Sequence, residues 1–159
     1  MAKLLVTYHS RTEHTRHMAE AVAEGAGAAA GVQVDLRAVG EVKARDLLDY
    51  DAIVVGSPTY YGSMAAEVKK LFDESVAFHG QLAGKVAGAF SSSGNLGGGS
   101  ETTVMDILKC LLIHGMVVQG TASGAHYGPV AVGDPDERSR KECLKLGRNV
   151  AGLTVKLHG

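Results

Sequence analysis

Three short segments of the chain combine residue types that suit ligand binding. The first, residues 9–15, reads HSRTEHT and follows the apolar run KLLVTY. A helix that starts after such a run leaves its first N–H groups unpaired and carries partial positive charge at that end, which suits a phosphate. The hydroxyls of Ser10, Thr12 and Thr15 add further donors. The segment therefore predicts an anion site.

Two other interpretations of this segment stay open on the sequence alone. Thr12 can serve as an ordinary helix N-cap, with Thr15 behind it. A metal site would use His9, His14 and His17, but no carboxylate or cysteine clearly completes that set. We therefore predict no metal site.

The second segment, residues 58–63, places aromatic surface directly after an apolar run. Pro58 stiffens the exit from that run and Gly62 permits a tight turn, so both are candidate cofactor-binding residues. The adjacent Tyr60 and Tyr61 suit a flat aromatic ligand. The alternative is that the two tyrosines pack on a neighbouring helix.

The third segment, residues 91–99, reads SSSGNLGGG. Small and flexible residues allow backbone N–H groups to approach a ligand closely, whereas the alternative is a flexible turn without a ligand. A phosphate site, an aromatic surface and a loop rich in accessible backbone together indicate a phosphorylated, planar, polar heterocycle. FMN fits that description best.

The elements that must position these segments alternate along the chain. Apolar or alternating runs predict strands at 3–8, 32–39, 51–59, 85–92 and 116–120. Helical spacing predicts helices at 15–30, 41–50, 64–78, 100–115 and 135–157.

Five β-α units predict an α/β fold: one flavodoxin-like domain over residues 1–159, with a five-stranded parallel sheet of order 2-1-3-4-5 and helices on both faces. Ligands of such sheets bind beyond the carboxyl ends of the strands, where the strand order reverses. The three segments follow strands 1, 3 and 4, so we expect them to converge there.

Composition excludes several classes of partner. The 159 residues are 45% hydrophobic and 21% charged, and the net charge of −1 gives no reason to expect nucleic acid or an anionic membrane as partner. No apolar stretch reaches the roughly 18 residues of a membrane span, and the first residues lack the pattern of a signal peptide. Cys110 and Cys143 form no metal-like pair, and two buried thiols fit a reducing cytoplasm. We expect a cytoplasmic protein.

Five motifs resemble known flavoproteins over nearly the whole chain. SRTEHT (10–15) resembles the flavodoxin phosphate loop, Ser/Thr-x-Thr-Gly-x-Thr. The other four resemble the WrbA-type NAD(P)H:quinone oxidoreductases: GSPTYYGSM (56–64), AFSSSGNLGGGSET (89–102), LLIHGM (111–116) and AGLTVKL (151–157). The separation of the second and third motifs makes the match specific.

The resemblance implies FMN as cofactor, surrounded by three sets of residues. The set around the phosphate is Ser10, Arg11, Thr12, Glu13, His14 and Thr15. The set flanking the isoalloxazine is Thr59, Tyr60, Tyr61 and Gly62. The set at the pyrimidine edge and ribityl chain is Ser92, Ser93, Gly94, Asn95, Gly97 and Gly98.

One histidine is the candidate catalytic residue. His114 matches a family histidine placed close to the flavin, where it would tune the charge of the reduced cofactor. The alternative is a helix C-terminal histidine that interacts with the helix dipole.

The chain departs from the family pattern in three ways. Glu13 stands where glycine is usual, and a carboxylate beside a phosphate is unfavourable unless it points outward or pairs with Arg11 or Arg16. The segments 40–48 and 120–134 are shorter than in the family, which uses them in tetramer contacts. The family's substrate-contacting tryptophan has no counterpart, because the chain contains no tryptophan.

The resemblance implies an oxidoreductase that passes a hydride from NAD(P)H to FMN and then reduces a quinone-like acceptor, with ping-pong kinetics. It also implies a homodimer or a homotetramer. An alternative is a flavodoxin-type carrier that passes electrons between redox proteins, although flavodoxins are usually more acidic. A third, motivated by Glu13 alone, is an interaction module that has lost the cofactor.

Overall fold

The computed structural model describes residues 1–159. The strands are β1 (Ala2–Tyr8), β2 (Val32–Ala38), β3 (Ala52–Tyr60), β4 (Ser63–Met64), β5 (Val86–Ser93), β6 (Val117–Val118) and β7 (Val130–Val132). The α-helices are α1 (His14–Gly27), α2 (Ala66–Glu74), α3 (Ser100–Ile113) and α4 (Glu137–His158). None of these helices combines the length and hydropathy needed to cross a membrane.

The parallel sheet runs in the order β2-β1-β3-β5, and β6 and β7 both pair with the outer edge of β5. In the centre of the sheet, Val6 of β1 lies between Leu36 of β2 and Val54 of β3. β4 folds back on the end of β3 as a short antiparallel hairpin. The predicted fold class and core strand order are confirmed, with the hairpin as an addition.

The fifth strand is split, which the sequence-based prediction of one strand at 116–120 did not anticipate. β6 pairs with Val86–Ala87 at the start of β5, and β7 pairs with its last three residues. Between them the chain leaves the sheet and returns. Gly128 lies so close to the carbonyl of Ala89 that a Cβ there would be 2.1 Å from its oxygen. Because a glycine-rich run separates β6 from β7, the sequence pattern did not predict the second half of the strand.

The predicted helix at 41–50 is wrong, because this segment forms two 3-10 turns, Val39–Glu41 and Ala44–Asp49. Val42 between them is extended, which interrupts any continuous helix. The ammonium of Lys85 donates to the carbonyls of Leu48 and Tyr50, at the end of the second turn, and so stabilises it. The predicted helix at 64–78 likewise ends early, in a 3-10 turn at Ser75–Phe78.

Alternate residues of the strands feed two apolar cores, as a sheet covered on both faces requires. Leu4 and Val6 pack with α1 and α4, whereas Leu5 packs in the core beneath α2 and α3. Phe90 on β5 is fully buried in the first of these cores. The layered core fixes the strand ends from which the three loops leave.

Two glycines bring α1 and α4 into backbone contact. A Cβ on Gly25 would lie 2.1 Å from the carbonyl oxygen of Leu144, and one on Gly147 would lie 2.0 Å from that of Val22. Real side-chain carbons do not approach a carbonyl oxygen so closely, so any larger residue must move a helix. The close contact sets the position of α1 over β1, and with it the start of α1 at the first loop.

We predict that Gly147→Ala lowers the free energy of unfolding by about 2 kcal/mol, because overpacking a tight contact costs about 1–3 kcal/mol. Gly152→Ala is the control on the same helix, since its Cβ would meet nothing within 4 Å. That control is expected to stabilise the fold by about 0.5–1 kcal/mol through helix propensity. Urea denaturation of both variants measures the difference, and equal stabilities would contradict the packing account.

Candidate functional site

A cleft of about 370 Å³ opens at the carboxyl ends of β1, β3 and β5. All three predicted segments contribute to it, together with the residue that follows β7. Its lining residues are Arg11, Thr12, His14, Thr15, Pro58, Thr59, Tyr60, Ser92, Ser93, Gly94 and Gly133. The structure thus brings ten of the predicted site residues together.

The first loop presents a row of unpaired backbone donors. None of the N–H groups of residues 11–15 donates a hydrogen bond, and the α1 ladder begins only where the N–H of His17 donates to the carbonyl of Glu13. The N-cap residue is Glu13, which makes no side-chain capping bond, and the N–H of Arg16 donates to the hydroxyl of Ser10 at 3.4 Å, so the interpretation of Thr12 as an N-cap is wrong. The loop and helix start therefore form a cradle that suits an anion.

Glu13 turns the chain into α1 through a left-handed conformation, with φ of 70°. This conformation explains why related loops favour glycine at this position. The Glu13 carboxylate lies 3.1 Å from the guanidinium of Arg16, which also contacts Glu20 at 3.0 Å. These two carboxylates raise the pKa of Arg16, with Glu13 as the larger cause. The charge of Glu13 is thus engaged by α1 and does not line the cleft.

The floor of the cleft is held by hydroxyl contacts between loops. The hydroxyls of Thr15 and Ser92 are 2.8 Å apart, and both side chains are buried. The hydroxyls of Thr59 and Ser91 are 3.0 Å apart, which joins the ends of β3 and β5. These contacts fix the loops relative to one another.

Tyr60 and Tyr61, although adjacent, take different positions. Tyr60 lines the cleft, with the ring of His9 against its edge at a centroid distance of 6.4 Å. Tyr61 is fully exposed at the tip of the β3–β4 hairpin, in a left-handed conformation with φ of 50°. Thr102 of α3 donates to the carbonyl of Gly62 at 2.7 Å and ties that hairpin to the third loop.

The third loop curls on itself at the rim of the cleft. The carbonyl of Asn95 accepts from the Ser93 hydroxyl at 3.1 Å and from the N–H of Gly98 at 3.0 Å. This turn keeps Gly94 in the cleft and directs Gly97 into a neighbouring depression of about 470 Å³ beside β7. The loop thus forms a hydrogen-bonded turn at the rim of the cleft.

Seven predicted cofactor-binding residues lie outside the cleft lining. Ser10 and Glu13 line a separate crevice on the other side of the first loop. The other five lie in the β3–β4 hairpin and in the third loop. They are Tyr61, Gly62, Asn95, Gly97 and Gly98.

His114 lies at the opposite end of the molecule from the cleft. It follows α3, whose 14 residues span about 20 Å from the third loop to the amino-terminal edge of the sheet. Its ring packs on Phe78 and hydrogen-bonds to Ser75. The structure does not bring His114 to the cleft of its own chain, so the prediction of a catalytic His114 is not supported there. The motif match alone did not indicate where in the fold this histidine lies.

Sequence reasoning missed the contribution of β7. The N–H of Gly133 donates to the carbonyl of Ser93 at 2.8 Å, which places Gly133 in the cleft. The next residue, Asp134, contacts Nδ1 of His17 on α1 at 2.6 Å, and this hydrogen bond raises the pKa of His17. The signal was available, because PVAVGD is a short apolar run directly before a helix start.

No group of three or more histidine, cysteine or acidic side chains is placed to hold a metal ion. His17 contacts Asp134, whereas His9 lies beside Tyr60.

Comparison with known proteins identifies relatives over the whole chain. A family model for NADPH-dependent FMN reductases matches residues 41–128. A flavodoxin of Aquifex aeolicus is 42% identical over 95% of this chain and 86% of its own length. An NAD(P)H dehydrogenase (quinone) of Caulobacter vibrioides is 36% identical over the full length of both chains.

Solved structures give the same result. A flavodoxin, WrbA-like protein from Agrobacterium tumefaciens superimposes with a TM-score of 0.82 and 28% identity, over 99% of each chain. A flavodoxin from the domain Archaea superimposes with a TM-score of 0.77 and 29% identity, over 96% of this chain and 99% of the other.

The family model covers more than half of the chain, and both sequence relatives exceed 30% identity across nearly all of it. The resemblance drawn from the motifs is thereby confirmed. The chain belongs to the flavodoxin-like FMN oxidoreductases.

Proposed function

We propose that the chain binds FMN in the cleft and transfers two electrons from NAD(P)H to a quinone-like acceptor. The observation that carries the proposal is the row of unpaired N–H groups over residues 11–15, set beside an aromatic side chain in one cleft. The family membership supports the same cofactor.

The phosphate of FMN fits the first loop. Five unpaired N–H groups lie in sequence at the start of α1, where the helix dipole also favours negative charge. The Glu13 carboxylate is held by Arg16, so it does not oppose an anion in the cradle. Arg11 and His14 also line the cleft. The loop can therefore hold a phosphate without a metal.

The planar part of FMN fits the remaining lining. Tyr60 offers an aromatic wall, whereas Ser93, Gly94 and Gly133 offer backbone and hydroxyl groups for a polar ring edge. The buried contact between Thr15 and Ser92 closes the floor and keeps the phosphate loop at a fixed distance from this edge. The residues present fit the group.

Bound FMN supplies the redox chemistry, because it accepts a hydride from a nicotinamide and returns two electrons to a quinone. The protein binds and orients the cofactor through residues 11–15 and Tyr60. We propose no general acid or base, since no carboxylate lines the cleft.

An electron carrier is the second candidate function. The 42% identity to a flavodoxin is the observation that favours it. The alignment with the quinone dehydrogenase extends over 200 residues, longer than this chain, so segments of that relative have no counterpart here. The net charge of −1 favours the enzyme, because carriers dock on basic partners through an acidic surface.

A cytoplasmic location fits the two free cysteines.

We predict that the purified protein is yellow, releases FMN on acid treatment and oxidises NADH or NADPH with a benzoquinone at about 1 per second or faster. Loss of the reduced nicotinamide absorbance measures the rate, and free FMN at the same concentration is the control. Turnover no higher than that of free FMN would favour the carrier. Colourless protein that cannot take up FMN would contradict both candidates.

The two tyrosines supply a matched pair of variants. Tyr60→Ala is expected to weaken FMN binding about tenfold, because it removes an aromatic wall whose contact is worth about 1 kcal/mol or more. Tyr61→Ala is expected to change the Kd less than threefold, since its side chain is fully exposed outside the cleft lining. The reverse order would show that the planar group lies against the hairpin tip instead.

Glu13 gives a separate prediction about the phosphate loop. We expect Glu13→Gly to bind FMN as tightly as the original chain or more tightly, because glycine adopts the left-handed turn without strain. Glu13→Ala is the matched control, since it removes the same carboxylate but keeps the strain. Glu13→Gly should exceed Glu13→Ala in unfolding free energy by about 1 kcal/mol. A large loss of FMN affinity in Glu13→Gly would mean that the carboxylate organises the loop.

A further inference from the structure

Residues 133–135 connect the end of β7 to the start of α4, and the first of them forms part of the cleft wall. Gly133 lines the cleft and donates its N–H to the carbonyl of Ser93 at 2.8 Å. At the other end, the carboxylate of Asp136 caps α4 by accepting from the N–H of Ser139 at 2.8 Å. The two residues between Gly133 and Asp136 make no backbone hydrogen bond. The backbone alone therefore fixes this segment only at its ends.

One side-chain contact, which we call the clasp, fixes the middle of the segment. Oδ1 of Asp134 lies 2.6 Å from Nδ1 of His17. His17 is in the first turn of α1, and its N–H makes the first bond of that helix, to the carbonyl of Glu13. No other hydrogen bond or ion pair joins residues 133–135 to α1. The clasp thus links the helix that follows the anion cradle to the wall that Gly133 supplies.

The charges around His17 favour its protonated form. Asp134 faces it from the segment after β7, and Glu13 and Glu20, both in contact with Arg16, lie along α1. The hydrogen bond to Asp134 is the largest of the causes that raise the pKa of His17. A charge-assisted bond from imidazolium to carboxylate is stronger than the neutral bond that remains after deprotonation. The clasp is therefore strongest below the raised pKa of His17 and weakens as the pH rises through it.

A second ion pair of similar geometry joins α1 to α4 further from the cleft. The guanidinium of Arg140 lies 2.6 Å from the carboxylate of Glu24, about two turns further along α1 than His17. The side chains of this pair are 50% and 60% exposed, against 46% and 58% for His17 and Asp134. Neither Glu24 nor Arg140 lines the cleft. This pair therefore supplies a matched control for the clasp.

We propose that His17 and Asp134 are positioning residues of the cleft, which hold the wall at Gly133 against α1 and so preorganise the cleft for FMN. This inference rests on the proposed function, because it concerns the same cleft. A wall that is already in place lowers the ordering cost of binding, so a weaker clasp gives a weaker complex.

Two NMR measurements on the full chain without cofactor test the clasp itself. His17→Gln keeps only a neutral donor for Asp134, so it should speed hydrogen exchange of the Gly133 amide about fivefold at pH 6, the upper end of what an exposed ion pair contributes. Asp134→Asn should lower the pKa of His17 towards its ordinary value, because it removes the carboxylate that raises that pKa. Glu24→Gln should leave the Gly133 exchange and the His17 pKa unchanged.

FMN titrations of the same variants test the positioning role. The Kd of His17→Gln divided by that of the original chain should be about five at pH 6 and below two at pH 9, where His17 is neutral in the original chain as well. This ratio cancels the pH dependence that the phosphate and His14 contribute in both proteins. Glu24→Gln should give a ratio near one at both pH values.

Three results would overturn the inference: unchanged Gly133 exchange in His17→Gln, an equal effect of Glu24→Gln, or a Kd ratio that is the same at pH 6 and pH 9. Failure of the original chain to bind FMN would instead contradict the proposed function. In that case the exchange of Gly133 and the pKa of His17 would still decide whether the clasp holds the wall, because both are measured without the cofactor.

Discussion

The N–H groups of residues 11–15 cannot join the hydrogen-bond ladder of β1 or of α1, and the functional end of the molecule depends on this constraint. β1 ends at Tyr8, and the ladder of α1 starts only at the bond from His17 to Glu13. Of the N–H groups between them, those of residues 11–15 have no acceptor. Leaving so many donors unpaired is tolerable because the loop faces solvent or a ligand. The left-handed turn at Glu13 leads the chain from this loop into α1. An anion is the simplest partner that satisfies them together.

The rest of the fold holds this loop in place. The glycine contact between α1 and α4 sets the helix on the sheet, and the buried Thr15–Ser92 contact ties its first turn to the end of β5. On the other side, Gly133 brings the chain back to Ser93 through β7. The split fifth strand is thus part of the site, because its second half closes the side of the cleft that β6 is too short to reach.

Local pattern predicted much of this from the sequence. Parallel strand order follows from the alternation of strands and helices, and the convergence of the loops follows from that order. The pattern failed where tertiary context decides, since the 3-10 turns at 39–49 and the return at β7 depend on contacts with distant residues such as Lys85 and Ala89. Which of two adjacent tyrosines enters the cleft depends on the hairpin turn. His114 follows α3 at the end remote from the cleft of its own chain, a position that depends on the direction of the whole helix.

The central claim is that backbone donors at residues 11–15 recognise a phosphate. Titration of the apoprotein with FMN and with riboflavin tests it most directly, because the two ligands differ only in that group. We expect FMN to bind about 100-fold more tightly or better, equivalent to about 2.7 kcal/mol, from several charge-assisted hydrogen bonds. Equal affinities for FMN and riboflavin would contradict the account.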